Sequence, residues 1–208
     1  MQVKLIHHTP LDACTEAAGV CRNSKDPEKA LVHALAAGHD SLLEQWSASF
    51  KIEGISRACS HQLVRHRIGF SYAQQSQRHV KVAEGHDWYV TPARATKEYH
   101  RYIEAARQGY VACIEAGMSL EDARYLLPNA CKTGLVVTAN ARALHNFFDL
   151  RLCSHAQAEI KELAHSMLTL VYQVAPVLFS RKFPDCENCK EKCGKYDIAP
   201  SQIREKMK

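Results

Sequence analysis

Four basic side chains fall within fourteen positions of one stretch, RHRIGFSYAQQSQRH, residues 65 to 79: Arg65, His66, Arg67 and Arg78. Ser71, Gln74, Gln75, Ser76 and Gln77 lie between them, and no Asp or Glu interrupts the run. An arginine fork fits phosphate oxygens two at a time. Serine hydroxyls add short donors, and glutamine amides both donate and accept. That inventory suits a nucleotide, with a phosphate to clamp and a base edge to read. It also describes a solvated basic loop, or a surface that touches nucleic-acid backbone. A nucleic-acid module interleaves aromatic residues with its basic ones. Only Phe70 and Tyr72 do so here, which favours a small-molecule site.

A second polar set follows in residues 124 to 162, RYLLPNACKTGLVVTANARALHNFFDLRLCSHAQAEIKE. Arg124, Asn140, Arg142, Asn146, Arg151, His155 and Gln157 supply the same kinds of donor. Neither stretch contains Gly-x-Gly-x-x-Gly after a strand, so a dinucleotide here is not held in the Rossmann manner.

The elements that must position these groups are legible in part. Val3 and Leu5 among polar residues suggest a first strand. Thr9-Pro10 and Asp26-Pro27 each read as a helix start, and Gly38 as the stop of the second helix. Trp46, Ala48, Phe50 and Ile52 alternate with polar residues as a half-buried strand does. Ser56 caps a helix that turns Ala58, Cys59, Leu63 and Val64 inward and ends in an RHR loop, with Gln62 and Arg65 on one face. Asp87 to Val90 reads as a short strand or an extended segment, and Thr91-Pro92 opens a long helix closing at Gly117, with a packing face from Tyr99 to Ile114 that includes Tyr102. Ser119 to Asp122 resembles a capping box. Leu135 to Thr138 is a buried strand, and Asn140 starts a helix on which Arg142 and Asn146 share a face. Ile160 to Val174 is a buried helix stopped by Pro176. Long helices around a small sheet predict an α+β class. The expected organisation is one domain over residues 1–180 and a cysteine-containing tail over 181–208.

The chain has 208 residues, 46% apolar and 24% charged, as one soluble domain requires. A net charge of +5 favours anionic ligands but is too modest for a dedicated DNA binder. No apolar run approaches the ~20 residues of a membrane helix, and the first ten residues lack a signal-peptide core. A cytoplasmic protein is expected, with no membrane and no nucleic-acid partner. Nine cysteines stand at 14, 21, 59, 113, 131, 153, 186, 189 and 193, and the first six read as reduced and packed.

Together the two stretches resemble the flavin-dependent thymidylate synthases. That family carries RHR, then Ser with an Arg two further on. It later carries Leu-Pro, Thr, Asn-Ala-Arg, Leu-Arg and His-Ala-Gln-x-Glu-Ile. Here these are Arg65-His66-Arg67, Ser76 and Arg78, then Leu127-Pro128, Thr138, Asn140-Ala141-Arg142, Leu150-Arg151, and His155-Ala156-Gln157 with Glu159-Ile160. The resemblance extends over most of residues 30 to 180.

The resemblance implies reductive methylation of deoxyuridine monophosphate (dUMP) to thymidylate. Methylenetetrahydrofolate is the carbon donor, FAD the hydride carrier and NADPH the reductant. It implies a homotetramer whose active sites draw on several chains. His39, Ser41 and Glu44 in the segment GHDSLLEQ match a flavin segment, as do Arg65, His66, Arg67, Ile68, Asn140, Arg142 and Asn146. Gln62, Arg65, Gln74, Gln75, Ser76, Arg78 and Arg124 match nucleotide positions, with Ser76, Arg78 and Arg124 nearest the phosphate. Arg151 matches the arginine over the uracil ring and is the expected catalytic residue, its fixed charge stabilising negative charge on the pyrimidine. His155 and Gln157 match supporting positions.

Four features depart from the pattern or lie outside it. Eight residues, Ile68 to Gln75, precede Ser76 where the family usually has seven, and an insertion near Gly69 absorbs the extra one. Gln74 and His79 stand where Glu and Tyr are common, which leaves alkylation of another uridine nucleotide on the same scaffold as the alternative. Cys153 has no activating context and reads as packed. In the tail, Cys186, Cys189 and Cys193 give two metal-like spacings but lack a fourth ligand. No metal site is assigned, and a reducing or redox-linked tail is equally compatible.

Overall fold

The alternating apolar residues become a four-stranded antiparallel sheet with the order β1-β2-β4-β3. A computed structural model describes residues 1–82, 87–186 and 189. In chain order the elements are β1 (Gln2–His8), α1 (Asp12–Arg22), α2 (Pro27–Ala36), β2 (Ser47–Ser56), α3 (Arg57–Leu63) and β3 (Phe70–Gln74). Then come α4 (Lys97–Glu115), α5 (Leu120–Ala123), β4 (Lys132–Asn140), α6 (Ala141–Arg151), α7 (Ala158–Val174) and α8 (Pro176–Phe179). Short 3-10 turns cover Asp40–Gln45 and Arg124–Leu126. The result is the expected α+β class.

One sheet face is apolar and packs on the helices. Ala48, Phe50 and Ile52 of β2 and Leu135, Val137 and Ala139 of β4 are all 4% exposed or less. They meet Phe147, Phe148, Leu163, Met167 and Phe179 in one core. Each of the Val, Leu, Ile, Met and Phe side chains contributes about 2 kcal/mol by leaving water. A smaller cluster around Trp88, Ile103 and Tyr110 seats α4 and α5. Among the described residues no helix is long and apolar enough to cross a membrane.

Several starts and faces differ from expectation. Helix α1 begins at Asp12 without a side-chain cap, because the Thr9 hydroxyl instead accepts from the Ser47 backbone N–H at 3.2 Å. Asp26 does cap α2, accepting from the Lys29 N–H. Helix α4 starts not at Thr91 but at Lys97, capped by Thr96; the preceding segment stays extended, and the Tyr99 hydroxyl donates to Val90 O at 2.8 Å. On α4 only Ile103 and Tyr110 are buried, and Tyr102 is exposed. On α3 it is Ser60, not Ala58, that turns inward beside Cys59 and Leu63. The expected RHR loop contains strand β3, whose Phe70, Tyr72 and Gln74 pair opposite Ala139, Val137 and Leu135 on the core face.

Residues 181–186, grouped with the tail in sequence, pack on α6. Phe183 is buried, and Arg181 pairs with Asp149. Cys193 lies outside the described residues. Among the described residues no cluster of three His, Cys, Asp or Glu is placed to hold a metal ion.

Candidate active site

The site is built where α3 runs out. Ser56 ends β2 and caps α3 by accepting from Cys59 N–H at 2.9 Å. The helix lasts seven residues and delivers Arg65, His66, Arg67 and Ile68 to a turn before β3. Gly69 makes that turn at φ +73°, and its carbonyl accepts from Asn140 N–H at 3.1 Å. A Cβ at Gly69 would lie 2.8 Å from Ala143 Cβ and 2.9 Å from Asn140 Nδ2. Only glycine meets both the dihedral and the space. Asn140 meanwhile caps α6 through Ala143 N–H at 2.8 Å. The turn is therefore locked to the start of α6, whose far end carries Arg151.

Arg65, His66, Arg67, Ile68, Phe70, Asn146, Leu150 and Arg151 line one cleft of about 400 Å³. Arg151 Nε donates to His66 Nε2 at 2.9 Å, and its Nη2 donates to Gln62 O at 3.3 Å. Since His66 accepts from a guanidinium, its imidazole is neutral and carries its proton on Nδ1. Burial first and the Arg151 charge second lower its pKa to about 4. Phe70 and Phe147 pack against the ring. Burial also holds Arg151 below the usual guanidinium range, yet guanidinium remains charged at any working pH. Beneath it Cys59 is pushed up to about 12, by burial first, and stays a thiol.

Among the described residues no carboxylate lies within ion-pair distance of Arg65, Arg67 or Arg151. Three positive charges thus share a cleft without a counter-ion among the described residues. Unbalanced charge around a concave, partly apolar surface attracts anionic ligands.

A family model described as thymidylate synthase complementing protein matches residues 4–177. A flavin-dependent thymidylate synthase of Geobacter sulfurreducens is 43% identical, over 99% of both chains. The chain belongs to the flavin-dependent thymidylate synthase family. A second relative of that name, from Clostridium tetani, is 38% identical over 94% of both chains. Two crystal structures of the Helicobacter pylori flavin-dependent thymidylate synthase, each with FAD and dUMP, share the fold. One gives a TM-score of 0.70 at 26% identity, covering 81% of this chain and 92% of that one. The other gives 0.72 at 25% identity, covering 86% and 99%.

In this chain the residues matched by motif fall into separate groups. The cleft gathers Arg65, His66, Arg67, Ile68, Asn146 and Arg151, with Gln62 joined through its carbonyl. Glu44 is joined to Arg142 at 2.5 Å on the exposed side of α6, and His39 and Ser41 are exposed at the preceding 3-10 turn. Arg78 and Arg124 converge on one carboxylate: Arg78 Nε is 2.8 Å and Arg124 Nη2 4.0 Å from Glu121 Oε1. Ser76 joins them by accepting from Arg78 N–H at 3.2 Å. Gln74 points to the core face, its amide donating to Ser60 Oγ at 2.9 Å and Thr133 Oγ1 at 3.2 Å. Gln75 lies on the opposite, open face of the sheet, in a groove with Lys51 and Lys132. Within the chain, Gln74 and Gln75 are thus not brought to the Arg151 cleft.

Three residues at or around these groups escaped the sequence reading. Tyr72 OH donates to Leu63 O and His66 O at 2.9 and 2.6 Å; its period-two spacing from Phe70 and Gln74 was the available signal. Glu121 joins Arg78 and Arg124, and its i,i+3 spacing from Arg124 was visible. Glu159 stands inside a quoted motif, but its partner Ser56 is distant in sequence.

Proposed function

We propose that the chain methylates dUMP reductively to thymidylate, with FAD as hydride carrier, methylenetetrahydrofolate as carbon donor and NADPH as reductant. The observation that carries the reading is the cleft in which Arg65, Arg67 and Arg151 meet without a carboxylate counter-ion among the described residues. The donor set fits a flavin dinucleotide. Arg65 and Arg67 are exposed guanidiniums suited to its pyrophosphate. Ile68, 94% exposed, and Leu150, 53% exposed, offer apolar wall to a flat ring. Arg142 and Asn146 stand one helical turn apart on the same face of α6. When bound, reduced FAD supplies the hydride.

The chain's own part is to bind, orient and stabilise charge. Arg151 is the catalytic residue: its guanidinium faces the nucleotide and stabilises negative charge that develops on the pyrimidine. Of its five N–H donors, His66 and Gln62 engage two, which fixes its plane and leaves the others for ligand. Neutral His66 holds Arg151 without cancelling its charge. Ser76, Arg78 and Arg124 take the nucleotide phosphate, with Glu121 holding the two arginines beside each other until it arrives.

The reading extends to a homotetramer, in which neighbouring chains complete each site, and to the cytoplasm. Light scattering at four times the chain mass tests the first. The thiols of Cys14, Cys21, Cys59, Cys113, Cys131 and Cys153 suit a reducing compartment.

The test is an anaerobic assay of the purified protein with dUMP, methylenetetrahydrofolate, FAD and NADPH. Thymidylate with tetrahydrofolate is the expected result. Flavin bound and reducible but no thymidylate would move the substrate to another uridine nucleotide, and no flavin binding would overturn the reading.

A further inference from the structure

We propose that Glu159 is a positioning residue for Arg151, acting through α3: it fixes one end of the helix whose other end holds the Arg151 guanidinium. The inference rests on the reading of Arg151 as catalytic and deepens it.

Helix α3 is a single short piece, about 10 Å long. Its N-terminal end is Ser56, 3% exposed. The Ser56 hydroxyl oxygen accepts from Cys59 N–H, which leaves two Ser56 protons to place. Glu159 takes both. Its Oε1 accepts from the Ser56 backbone N–H at 2.6 Å, and its Oε2 accepts from the Ser56 hydroxyl at 2.6 Å. Hydrogen bonds to a carboxylate are about twice as strong as neutral ones. Glu159 is available for this because its own helix is already capped: Gln157 Oε1 accepts from Ile160 N–H at 3.3 Å.

The far end of α3 is held by Arg151 and Tyr72. Arg151 Nη2 donates to Gln62 O and Arg151 Nε to His66 Nε2. Tyr72 OH donates to Leu63 O and His66 O. Arg151 ends α6 and Glu159 lies in the first turn of α7. The single corner between α6 and α7 therefore grips α3 at both ends, and the direction of the Arg151 guanidinium is set by where Glu159 keeps Ser56. A misplacement of about 1 Å at a reacting group can cost about a hundredfold in rate, so a helix clamped this way has kinetic value.

The experiment uses full-length, FAD-loaded protein carrying Glu159→Ala, with Glu159→Gln beside it. Two readouts are taken: kcat and KM for dUMP, and the 15N imidazole signal of His66 across pH. In Glu159→Ala, kcat falls about tenfold or more while KM for dUMP moves less than about threefold. The His66 Nε2 signal loses its hydrogen-bond shift, and its midpoint climbs from about 4 toward 6.5. Gln accepts from Ser56 N–H and donates to its hydroxyl, so Glu159→Gln recovers both readouts to within about threefold of wild type. The proposal is overturned if Glu159→Ala leaves the His66 signal and midpoint at wild-type values, whether or not kcat falls. Should Glu159→Ala fail to fold, Glu159→Asp, one methylene shorter with the charge kept, is judged by the same readouts. The His66 signal does not depend on thymidylate being the product, so failure here is separable from failure of the proposed activity.

Discussion

Helix α6 carries two arginine–histidine pairs, and they do different work. At its C-terminal end Arg151 donates to His66. Earlier on the same helix, His145 Nδ1 accepts from Arg181 Nε at 3.3 Å while its Nε2 donates to Leu178 O at 2.8 Å. Burial, the leading cause in both, lowers each imidazole to about 4. What differs is the charge balance. Arg181 is neutralised by Asp149, with Nη2 at 2.5 Å, and stacks on Phe183 at 4.1 Å. Asp149 also accepts from Asp185 N–H at 2.9 Å, so that pair fastens residues 181–186 to the domain. Arg151 has no carboxylate partner among the described residues and opens on a cleft. A perturbed histidine alone does not locate an active site; an arginine held in place without being neutralised does so better.

The largest effect is expected at the open pair. Arg151→Ala leaves flavin bound but lowers kcat for thymidylate by about a hundredfold or more, whereas Arg181→Ala leaves it within about threefold. Steady-state rates with the flavin absorbance recorded check both halves.

Next comes pH. The unfolded chain protonates His66 and His145 near 6.5, the folded chain near 4. Between those values the unfolded state binds more protons, so stability is lost as pH falls from above 6.5 toward 4. Each histidine contributes at most about 3 kcal/mol to that loss. Urea midpoints taken at about pH 7.5 and about pH 5 should fall in that order; a flat profile would show that the pairs are looser than described.

Gly69→Ala is expected to cost about 1–2 kcal/mol for the left-handed backbone alone, with the Asn140 and Ala143 contacts adding to it. Weaker flavin binding should accompany the lower urea midpoint, since the displaced turn carries Arg67 and Ile68. The smallest effect belongs to the closed pair: Asp149→Asn should remove about 1 kcal/mol of stability with little change in kcat.

Much of this was legible. The alternation of Ala48, Phe50 and Ile52, the Asp26 and Ser56 caps, and Asn140 at the head of α6 were all readable as local chemistry. Strand β3 was hidden because Phe70 and Tyr72 sit between charged flanks, so its short alternation looked like a basic loop. The start of α4 was misplaced because Thr91-Pro92 carries a start signal as good as Thr96, and only the Tyr99–Val90 contact separates them. At the site, residue types were readable but partners were not. The Arg151–His66 and Glu159–Ser56 bonds join residues 85 and 103 positions apart. Gln74 showed the converse: a polar residue in a binding motif whose amide is used inside the fold.

If the charge of the open pair and its arginine neighbours is kept for anionic ligands, ligand affinity must depend on salt. The most direct measurement is FAD affinity, by fluorescence titration from low to high salt, for wild type, Arg67→Gln and Arg181→Gln. Wild-type affinity should fall steadily with salt, as screening of uncompensated charge requires. Arg67→Gln should flatten that dependence, and Arg181→Gln should leave it unchanged. Affinity independent of salt in the wild type, or an equal change in both variants, would contradict the distinction between the two pairs.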